Sequence, residues 1–487
     1  MANGFLSKFA PFPRPFWTIN TVELFERGAY YGMLAVLSTF LLADLGAPAA
    51  LRGVLLAVQF PLLYFLPVVS GALADKFGFK KLLFATFATL IAGYAVLALS
   101  TTLWLAFVGI LLYSVGAGLF KPMPAAVVTE TSSEENRNFG FAIYYWMINL
   151  GAFLAPIGMQ QVFGGELRQY FLVSAALSAL NFAIVLVAWR DLKPAQPTIK
   201  VGESLARIGE IRKHPAFMAL LIIYSGFWFM YAITTSFLQN YATDYGILTI
   251  AQVALLVPAN ALAILIVGPI LSKLTGKVPA LPLMIVGIVV FCAGFMLIGF
   301  VPTLLALFAG VFIFSVGEFL THPSYLSYVS KISPQDKVAL FFGFGFLPIG
   351  VGQMLGTLSG GFLYGAFAES TGRPQLFWVS IIAVGLLTVA ALLVYNLVLS
   401  RRAAPQPAVE KRRRPAIAPF AAALALLLIP ALVVTAAVQP AANRITPAGG
   451  GGLGDAGDLV ALALDPVTGD AREGEETTQV VALPANA

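Results

Sequence analysis

Long apolar segments separated by short polar connections dominate this sequence. Most of them run 20 to 28 residues, enough for a helix that rises 1.5 Å per residue to cross a hydrocarbon layer about 30 Å thick. Charged residues make up 11% of the chain and hydrophobic residues 59%, whereas about a quarter of the residues of a soluble domain are charged. The short alternating segments of a membrane β-barrel are missing. The sequence therefore predicts an all-α integral membrane protein.

Twelve core membrane spans are predicted, followed by a thirteenth at 415–438 that is poor in polar residues. The core spans lie at about 16–44, 50–73, 80–100, 102–129, 138–163, 169–190, 215–240, 249–274, 279–300, 302–330, 336–366 and 375–399. Residues 1–15 lack the apolar region and the cleavage site of a signal peptide, so we expect the first span to remain in the mature protein.

Lys and Arg are distributed unequally between alternate connections. Twenty-two lie on the side that holds the N-terminus and residues 191–214, and three, Arg52, Arg168 and Arg373, lie on the other. Because positively charged loops stay in the cytoplasm, this bias predicts a cytoplasmic N-terminus and an extracytoplasmic C-terminal tail. It also accounts for most of the net charge of +6, so that charge does not indicate nucleic-acid binding. Organelle signals are missing, and we expect a plasma membrane location.

The connection at 191–214 divides the core into six spans on each side, a pattern typical of two-bundle transporters. We expect an N-terminal six-helix bundle, a cytoplasmic linker, a C-terminal six-helix bundle, a basic linker with the extra span, and a disordered acidic, glycine-rich tail. These regions cover 1–190, 191–214, 215–402, 403–438 and 439–487. The lone Cys292 excludes a disulfide within the chain and a cysteine metal cluster.

The stretch GALADKFGFKK, residues 71–81, resembles the loop motif of the major facilitator superfamily. Gly71, Asp75, Gly78 and Lys80 match the motif and are our candidates for a gating loop. An ordinary charged turn is the alternative.

Few ionisable side chains lie within the twelve core spans: Glu23, Glu26, Arg27, Lys121 and Glu318, with His322 one turn after Glu318. A central charge costs roughly 2.5–3.5 kcal/mol on insertion scales, so these groups must be paired or hydrated. Glu23 and Arg27 are four residues apart and share a helix face. Glu26 shares a face with Tyr30 and, because it is one position from Arg27, can point to a neighbouring helix. We predict a polar stripe that faces a cavity; a static salt bridge between helices is the alternative.

Six stretches together resemble the proton-dependent oligopeptide transporter family. ELFERGAYYG, residues 23–32, is similar to the family signature ExxERFxYYG, with Gly28 in place of the usual Phe. LYFLPVVSGALAD, GAGLFKPMPAAVV, YYWMINLGAFLAP, VPANALAILIVGP and FSVGEFLTHPSYLSYVSKISP follow in the family's order and match its binding residues at Tyr64, Lys121, Asn149, Asn260 and Glu318. The resemblance covers about 400 residues. It implies a major facilitator fold and proton-driven uptake of di- and tripeptides, with the proton gradient in place of a cofactor.

The resemblance also implies roles for single residues. Glu23, Glu26, Arg27 and Lys121 are the candidates for proton coupling, because a carboxylate that exchanges cationic partners can bind and release a proton. The candidates for substrate binding are Tyr30, Tyr31, Tyr64, Lys121, Asn149, Asn260 and Glu318. A peptide zwitterion needs an anion facing a cation. Glu318 belongs to the second bundle, whereas Arg27 and Lys121 belong to the first, so a bridging substrate would draw the bundles together.

Alternatives stay open for individual residues. Lys121 could snorkel to the interface, although Pro122 and Pro124 are expected to open the helix beside it. Glu318 could be the buried partner of His322, which we expect to be structural. Tyr144 and Tyr145 are expected to pack in the core.

Three positions depart from the family pattern. Leu34 replaces a basic residue, and Ala232 replaces a glutamate in the seventh span. In the family these two charges form a pair between the bundles, so their joint loss predicts that this latch is replaced or absent. Gly345 replaces a tryptophan, which predicts a wider pocket on that side. These positions leave the cargo open.

Two other functions are alternatives. A proton-coupled transporter of another small polar metabolite or anion would keep the coupling residues in an altered pocket. A non-transporting receptor or sensor would have no need for two carboxylates around Arg27. An enzyme is not expected, because the sequence lacks a paired nucleophile and base, a metal-ligand cluster and a P-loop. We expect a protein that functions as a monomer in the lipid bilayer and binds small peptides and protons, but neither metal nor nucleic acid.

Overall fold

The computed structural model describes residues 12–133, 137–189, 213–275, 278–334, 341 and 344–398. All of them lie within one compact unit, Met1–Ala448. The predicted thirteenth span, the predicted tail and all but two residues of the predicted linker lie outside the described residues.

Twelve helical spans, α1 to α12, make up the described part of the chain. The first six are α1 (Arg14–Ala43), α2 (Ala49–Ala57 and Gln59–Phe77), α3 (Phe79–Leu99), α4 (Leu103–Phe120 and Met123–Thr131), α5 (Arg137–Phe163) and α6 (Leu167–Ala188). The second six are α7 (Pro215–Ser236 and Leu238–Asp244), α8 (the 3₁₀ turn Ile250–Leu255 and Leu256–Thr275), α9 (Ala280–Phe300), α10 (Leu304–Ile332), α11 (Leu347–Tyr364 and the π-helical turn Gly365–Glu369) and α12 (Pro374–Val398).

The predicted core spans agree with these helices to within four residues at every end except the start of α11, which is predicted at residue 336, outside the described residues, and lies at Leu347. Nine helices of the described part are long and apolar enough to cross a membrane. The prediction of an all-α membrane protein is therefore confirmed. Because successive spans alternate in direction, the bundle has two faces. We call the face at which α1 begins the proximal face and the face at which it ends the distal face.

Buried apolar side chains form two clusters, one for each half of the chain. The first draws mainly on α1 to α6 and includes Phe16, Leu83 and Tyr113. The second draws mainly on α7 to α12 and includes Phe291 and Trp378. Each half thus has a packed interior of its own.

Closely packed glycines join two helix pairs at corresponding places in the two halves. A Cβ on Gly93 of α3 would lie 2.5 Å from the backbone nitrogen of Tyr113 in α4. A Cβ on Gly317 of α10 would lie 2.5 Å from the backbone nitrogen of Phe291 in α9. Small residues permit such backbone contact between membrane helices. These contacts fix α4 and α10, the helices that carry Lys121 and Glu318.

The two halves of the chain meet at the distal face, where α2 lies against α11. A Cβ on Gly53 would lie 2.9 Å from the Cα of Gly361, so the two helices touch through their backbones. Beside them, the Arg52 guanidinium pairs with the Glu369 carboxylate at 3.0 Å. Glu369 also accepts a hydrogen bond from the backbone N–H of Ala49 at 3.2 Å.

A second set of distal contacts joins α1 to α7. The Ser38 hydroxyl contacts the carbonyl of Ser236 and the side-chain oxygen of Asn240, the latter at 2.7 Å. Gln239 Nε2 donates to the carbonyl of Leu34 at 3.2 Å. We call the α2–α11 and α1–α7 contacts together the distal seam. The seam closes the space between the two halves on the distal side.

Candidate functional site

A cavity of about 170 Å³ lies between the two halves of the chain. Its lining comes from α1, α2 and α4 of the first half and from α7, α10 and α11 of the second: Arg27, Tyr30, Tyr31, Leu34, Phe60, Leu63, Tyr64, Ala117, Lys121, Trp228, Tyr231, Thr235, Glu318 and Gln353.

Glu23, Glu26 and Arg27 form a buried charge cluster on α1. Arg27 Nη2 lies 2.5 Å from Glu26 Oε2, and Arg27 Nε lies 3.4 Å from Glu23 Oε1. Glu26 is fully buried and Glu23 is 3% exposed. The second oxygen of each carboxylate, Glu23 Oε2 and Glu26 Oε1, has no hydrogen-bond partner among the described residues. With both carboxylates ionised, the cluster carries one negative charge in excess of its guanidinium.

Glu26 pairs with Arg27, one of the partners expected for it. Its position directly before Arg27 would also have allowed it to point to a neighbouring helix. Of the two ion pairs that Arg27 makes, the one with Glu26 is the shorter. The long arginine side chain reaches back to the preceding residue, and its guanidinium also lies 5.1 Å from the centre of the Tyr30 ring.

Lys121 lies where α4 is interrupted. The first segment of α4 ends at Phe120 and the second begins at Met123, because Pro122 lacks the backbone N–H that a continuous helix would use. The Lys121 ammonium lies 3.6 Å from the centre of the Tyr64 ring, a cation–π contact. Within the described ranges, Lys121 makes no ion pair with a carboxylate. It lines the cavity and does not snorkel to the interface.

Glu318 faces the cavity from α10 and is held by a neutral amide. Asn260 Nδ2 donates to Glu318 Oε2 at 3.0 Å and contacts the Ser315 hydroxyl at 2.9 Å. Tyr231 of α7 lies beside the carboxylate and also lines the cavity. His322 has another partner, since its Nδ1 lies 3.0 Å from the Tyr224 hydroxyl. The structure therefore does not support the alternative that Glu318 is buried against His322.

Two predicted binding residues, Asn149 and Asn260, lie outside the cavity lining. Asn149 Nδ2 donates to the carbonyl of Tyr145, one turn earlier on α5, at 2.8 Å. Such local bonding to the backbone satisfies a buried amide without a ligand. Asn260 reaches the cavity only through the carboxylate of Glu318.

The ion pair that the family forms between positions 34 and 232 cannot form here, because both residues are apolar. Leu34 lines the cavity, and Ala232 is fully buried in α7, outside the lining. Within the described ranges, the ion pair between the two halves is instead made by Arg52 and Glu369 in the distal seam. The loss of the family's pair is thus accompanied by a different pair between α2 and α11.

The expectation of a wider pocket at Gly345 is wrong. Gly345 is not part of the lining. A Cβ built there would lie 3.6 Å from the Tyr325 hydroxyl, which already donates to the Gly345 carbonyl at 2.7 Å. Tyr325 and Val329 of α10 therefore lie directly against the position where a side chain at residue 345 would begin.

The predicted gating loop is mostly helix. Because α2 continues to Phe77, Gly71 and Asp75 lie within α2, and the Asp75 side chain is outside the described part of the structure. Gly78 alone joins α2 to α3, with φ of +85°, a conformation that residues with a Cβ avoid. Lys80 follows in the first turn of α3.

Part of the lining was not predicted from the sequence. Trp228, Tyr231 and Thr235 line the cavity from one face of α7, and Phe60 and Leu63 line it from the face of α2 that carries Tyr64. Their spacing of three and four residues places them on common faces. The same spacing is expected of residues that only pack, so the pattern alone does not single them out.

Comparisons with known proteins bear on the family and the fold. A family model of the Major Facilitator Superfamily matches residues 22–347 and 248–448. The chain is 22% identical over 371 residues to the multidrug resistance protein MdtH of Klebsiella pneumoniae (strain 342), which covers 74% of this chain and 89% of that protein.

Two solved structures share the architecture. One is a POT family transporter in complex with a thioalcohol conjugated peptide, with a TM-score of 0.66, 21% identity, and coverage of 80% of this chain and 96% of the other. The other is a mutant of the nucleoside transporter NupG, with a TM-score of 0.70, 15% identity, and coverage of 78% of this chain and 99% of the other. At these identities the likeness shows the fold alone. Family and fold are those of membrane transporters, as the sequence predicts.

Proposed function

Because the chain belongs to the Major Facilitator Superfamily, we propose that it is a proton-coupled symporter that imports di- and tripeptides by alternating access. The observation that carries the proposal is a single cavity with unlike charges on its two sides. Arg27 and Lys121 line it from the first half of the chain, and Glu318 lines it from the second. The sequence resemblance to the proton-dependent oligopeptide transporters suggests the cargo, and the likeness to a POT family transporter agrees with it.

The charged groups of the cavity differ in whether they are free to bind a substrate. The Arg27 guanidinium is occupied by Glu26 and Glu23, whereas Lys121 has an aromatic ring beside it. Lys121 is therefore the cation for a peptide carboxylate, and Glu318 the anion for its ammonium. A ligand bound to both binds the closed arrangement of the halves better than the open one, and this difference in affinity is what shifts the conformational equilibrium.

The charge cluster of Glu23, Glu26 and Arg27 supports the coupling to protons. One oxygen of Glu23 and one of Glu26 are buried without a partner. A proton on either oxygen removes the excess negative charge and supplies a hydrogen-bond donor. Loss of that proton restores a carboxylate that competes for Arg27. Proton binding and the pairing around Arg27 are thus linked, and Arg27 itself lines the substrate cavity.

We also infer that the proximal face is cytoplasmic and that the membrane is the plasma membrane. Lys80, Lys273 and Lys331 lie at proximal helix ends, whereas Arg168 and Arg373 lie at distal ones. Lys and Arg are retained on the cytoplasmic side. The cavity is complete within one chain, which supports function as a monomer in the lipid bilayer.

A transporter of another small polar metabolite is the second candidate. Proteins of this architecture carry different cargoes, as the peptide-bound and nucleoside transporters show by their names, so fold does not fix cargo. The apolar Leu34 in the lining is the observation that favours it, because the related peptide transporters have a basic residue there.

The test is uptake of a labelled dipeptide by proteoliposomes with and without an acid-outside gradient. We expect accumulation that requires the gradient and is inhibited by unlabelled di- and tripeptides. If no peptide accumulates and none competes, the peptide proposal is wrong, and the same vesicles can be tested with nucleosides.

Glu26→Gln separates coupling from binding. It should abolish gradient-driven accumulation but keep counterflow exchange, because exchange needs no net proton movement. Glu166→Gln, which removes an exposed carboxylate at the start of α6, is the matched control and should leave both unchanged. Equal loss of both activities in Glu26→Gln would assign Glu26 a structural role.

A further inference from the structure

The cavity lining has two layers along the membrane normal. Ala117 precedes Lys121 by four residues on α4, and Phe60 precedes Tyr64 by four on α2. Both helices run from the distal to the proximal face, so Ala117 and Phe60 lie one turn, about 6 Å, nearer the distal face. Leu34 lies on α1, beyond Tyr30 in the same distal direction. On α7, Tyr231 lies beside Glu318 and one turn nearer the proximal face than Thr235. The charged groups thus form a proximal layer, and Leu34, Phe60 and Ala117 form a distal one.

We define the apolar wall as Leu34, Phe60 and Ala117 of the distal layer together with Leu63, which lies between Phe60 and Tyr64 on α2. All four line the cavity, and each is at most 7% exposed. They come from three helices of the first half, so the wall does not depend on how the two halves are placed. Polar groups appear at this level on the opposite side, where Thr235 lines the cavity from α7.

The apolar wall is held rigidly by its surroundings. The carbonyl of Leu34 accepts the hydrogen bond from Gln239 in the distal seam. Next to Ala117, a Cβ on Gly118 would lie 2.3 Å from the carbonyl oxygen of Leu62, so α2 and α4 touch through their backbones. A wall fixed at both edges presents a defined surface to a ligand.

We propose that the apolar wall binds the side chain of the substrate, and that the site selects dipeptide-sized zwitterions with an aliphatic side chain. The inference rests on the proposed function. A ligand with its carboxylate at Lys121 and its ammonium at Glu318 has both charges in the proximal layer, and its side chain then meets the wall. An acidic or basic side chain there would lose its hydration without gaining a partner.

The size of the cavity limits the ligand. Its volume of about 170 Å³ is smaller than the roughly 300–1,000 Å³ of sites for drug-sized ligands. The distal seam blocks extension past the wall, since Leu34 belongs to both. A third peptide residue has no room on that side, so tripeptides should bind more weakly than dipeptides.

The test is a binding panel on the purified full chain, measured by isothermal titration calorimetry in detergent. The probes are Ala-Leu, Ala-Asp, Ala-Lys and Ala-Ala-Ala. We expect Ala-Leu to bind at least tenfold more tightly than each of the other three, since small differences in apolar fit are worth about 10- to 200-fold.

Two substitutions of the wall sharpen the test. Leu34→Lys should raise the affinity for Ala-Asp at least tenfold relative to Ala-Leu, whereas the volume-conserving Leu34→Met should keep the parent's order. Leu63→Ala removes part of the wall and so enlarges the cavity, which should improve binding of Ala-Phe relative to Ala-Leu. This substitution gives a second measurement if Leu34→Lys fails to fold.

The outcomes separate this inference from the proposed function. The proposed role of the apolar wall is wrong if the parent binds Ala-Leu and Ala-Asp with equal affinity. It is also wrong if the order of peptide affinities is unchanged in both Leu34→Lys and Leu63→Ala. Neither result bears on symport. The expected order of binding without gradient-driven accumulation supports the wall and overturns symport. If none of the peptides binds, both proposals fail.

Discussion

The Arg52–Glu369 pair allows the stability of the distal seam to be calculated and tested. Arg52 is fully buried and Glu369 is 33% exposed. Removing one partner of a buried pair costs about 3–5 kcal/mol, because the other charge stays buried alone. Arg52 keeps a hydrogen bond to the carbonyl of Ala47 at 2.8 Å, and the exposure of Glu369 reduces the loss further. We therefore expect Glu369→Gln to weaken the closed seam by about 2–3 kcal/mol, or roughly 30- to 150-fold in the equilibrium between closed and open seam.

The assay is the labelling of a cysteine in the cavity by a membrane-impermeant thiol reagent. Thr235→Cys supplies the target, since Thr235 lines the cavity, and the buried native Cys292 is replaced by alanine. Reagent added from the distal side should label Thr235→Cys roughly 30- to 150-fold faster when Glu369→Gln is also present. The double substitution Arg52→Met with Glu369→Gln removes both charges and should return the rate toward that of the parent.

A matched control comes from another ion pair at the distal face. Arg168 Nε lies 3.1 Å from Asp44 Oδ2, and both residues belong to the first half of the chain. Asp44→Asn should therefore leave the labelling rate unchanged. Equal acceleration by Asp44→Asn and Glu369→Gln, or no acceleration by Glu369→Gln, would refute the assignment of the Arg52 pair as a lock between the halves.

Three further substitutions test the site and the helix packing. Glu318→Gln should weaken binding of peptides with a free amino terminus by roughly 10- to 100-fold, since bonds to a charged group contribute about 1.5–3 kcal/mol, and calorimetry should show little change for N-acetylated peptides. Lys121→Gln should weaken peptides with a free carboxylate by a similar factor and spare C-amidated ones; equal loss for both forms would place Lys121 outside the carboxylate site. Gly317→Ala should destabilise the protein by about 1–3 kcal/mol in thermal unfolding in detergent, because its Cβ would meet the backbone of α9. Gly158→Ala, where a Cβ has no neighbour within 4 Å, should leave the melting temperature unchanged.

The spans and the charged side of the cavity could be predicted from the sequence because both follow from strong local energetics. An apolar run long enough to cross a bilayer has few alternatives to a helix. A charge within such a run must be paired or hydrated, which singled out Arg27, Lys121 and Glu318 as candidates. The resemblance to a known family grouped them into one site, and all three line the cavity. The break in α4 at Lys121 follows in the same way from Pro122.

The remaining details depend on contacts that the sequence does not encode locally. Arg52 and Glu369 are 317 residues apart, and each alone reads as an ordinary loop charge. The Asn149 amide can donate a hydrogen bond either to a ligand or to its own helix, and in the structure it donates to the backbone carbonyl of Tyr145. The pairing of Glu26 with Arg27 is set by side-chain conformation, which spacing along the helix does not determine.

The composition of the distal seam has a consequence for how readily it parts. Arg52 Nε, Gln239 Oε1 and Asn240 Nδ2 are buried there without a hydrogen-bond partner among the described residues. Entering water would solvate these atoms, so wetting the seam recovers hydration that closure had removed. An apolar seam would instead lose about 25 cal/mol for each Å² it exposed. Because polar groups close the distal seam, its dry and wetted states lie near each other in free energy. A transporter that opens and closes such a seam in every cycle requires this.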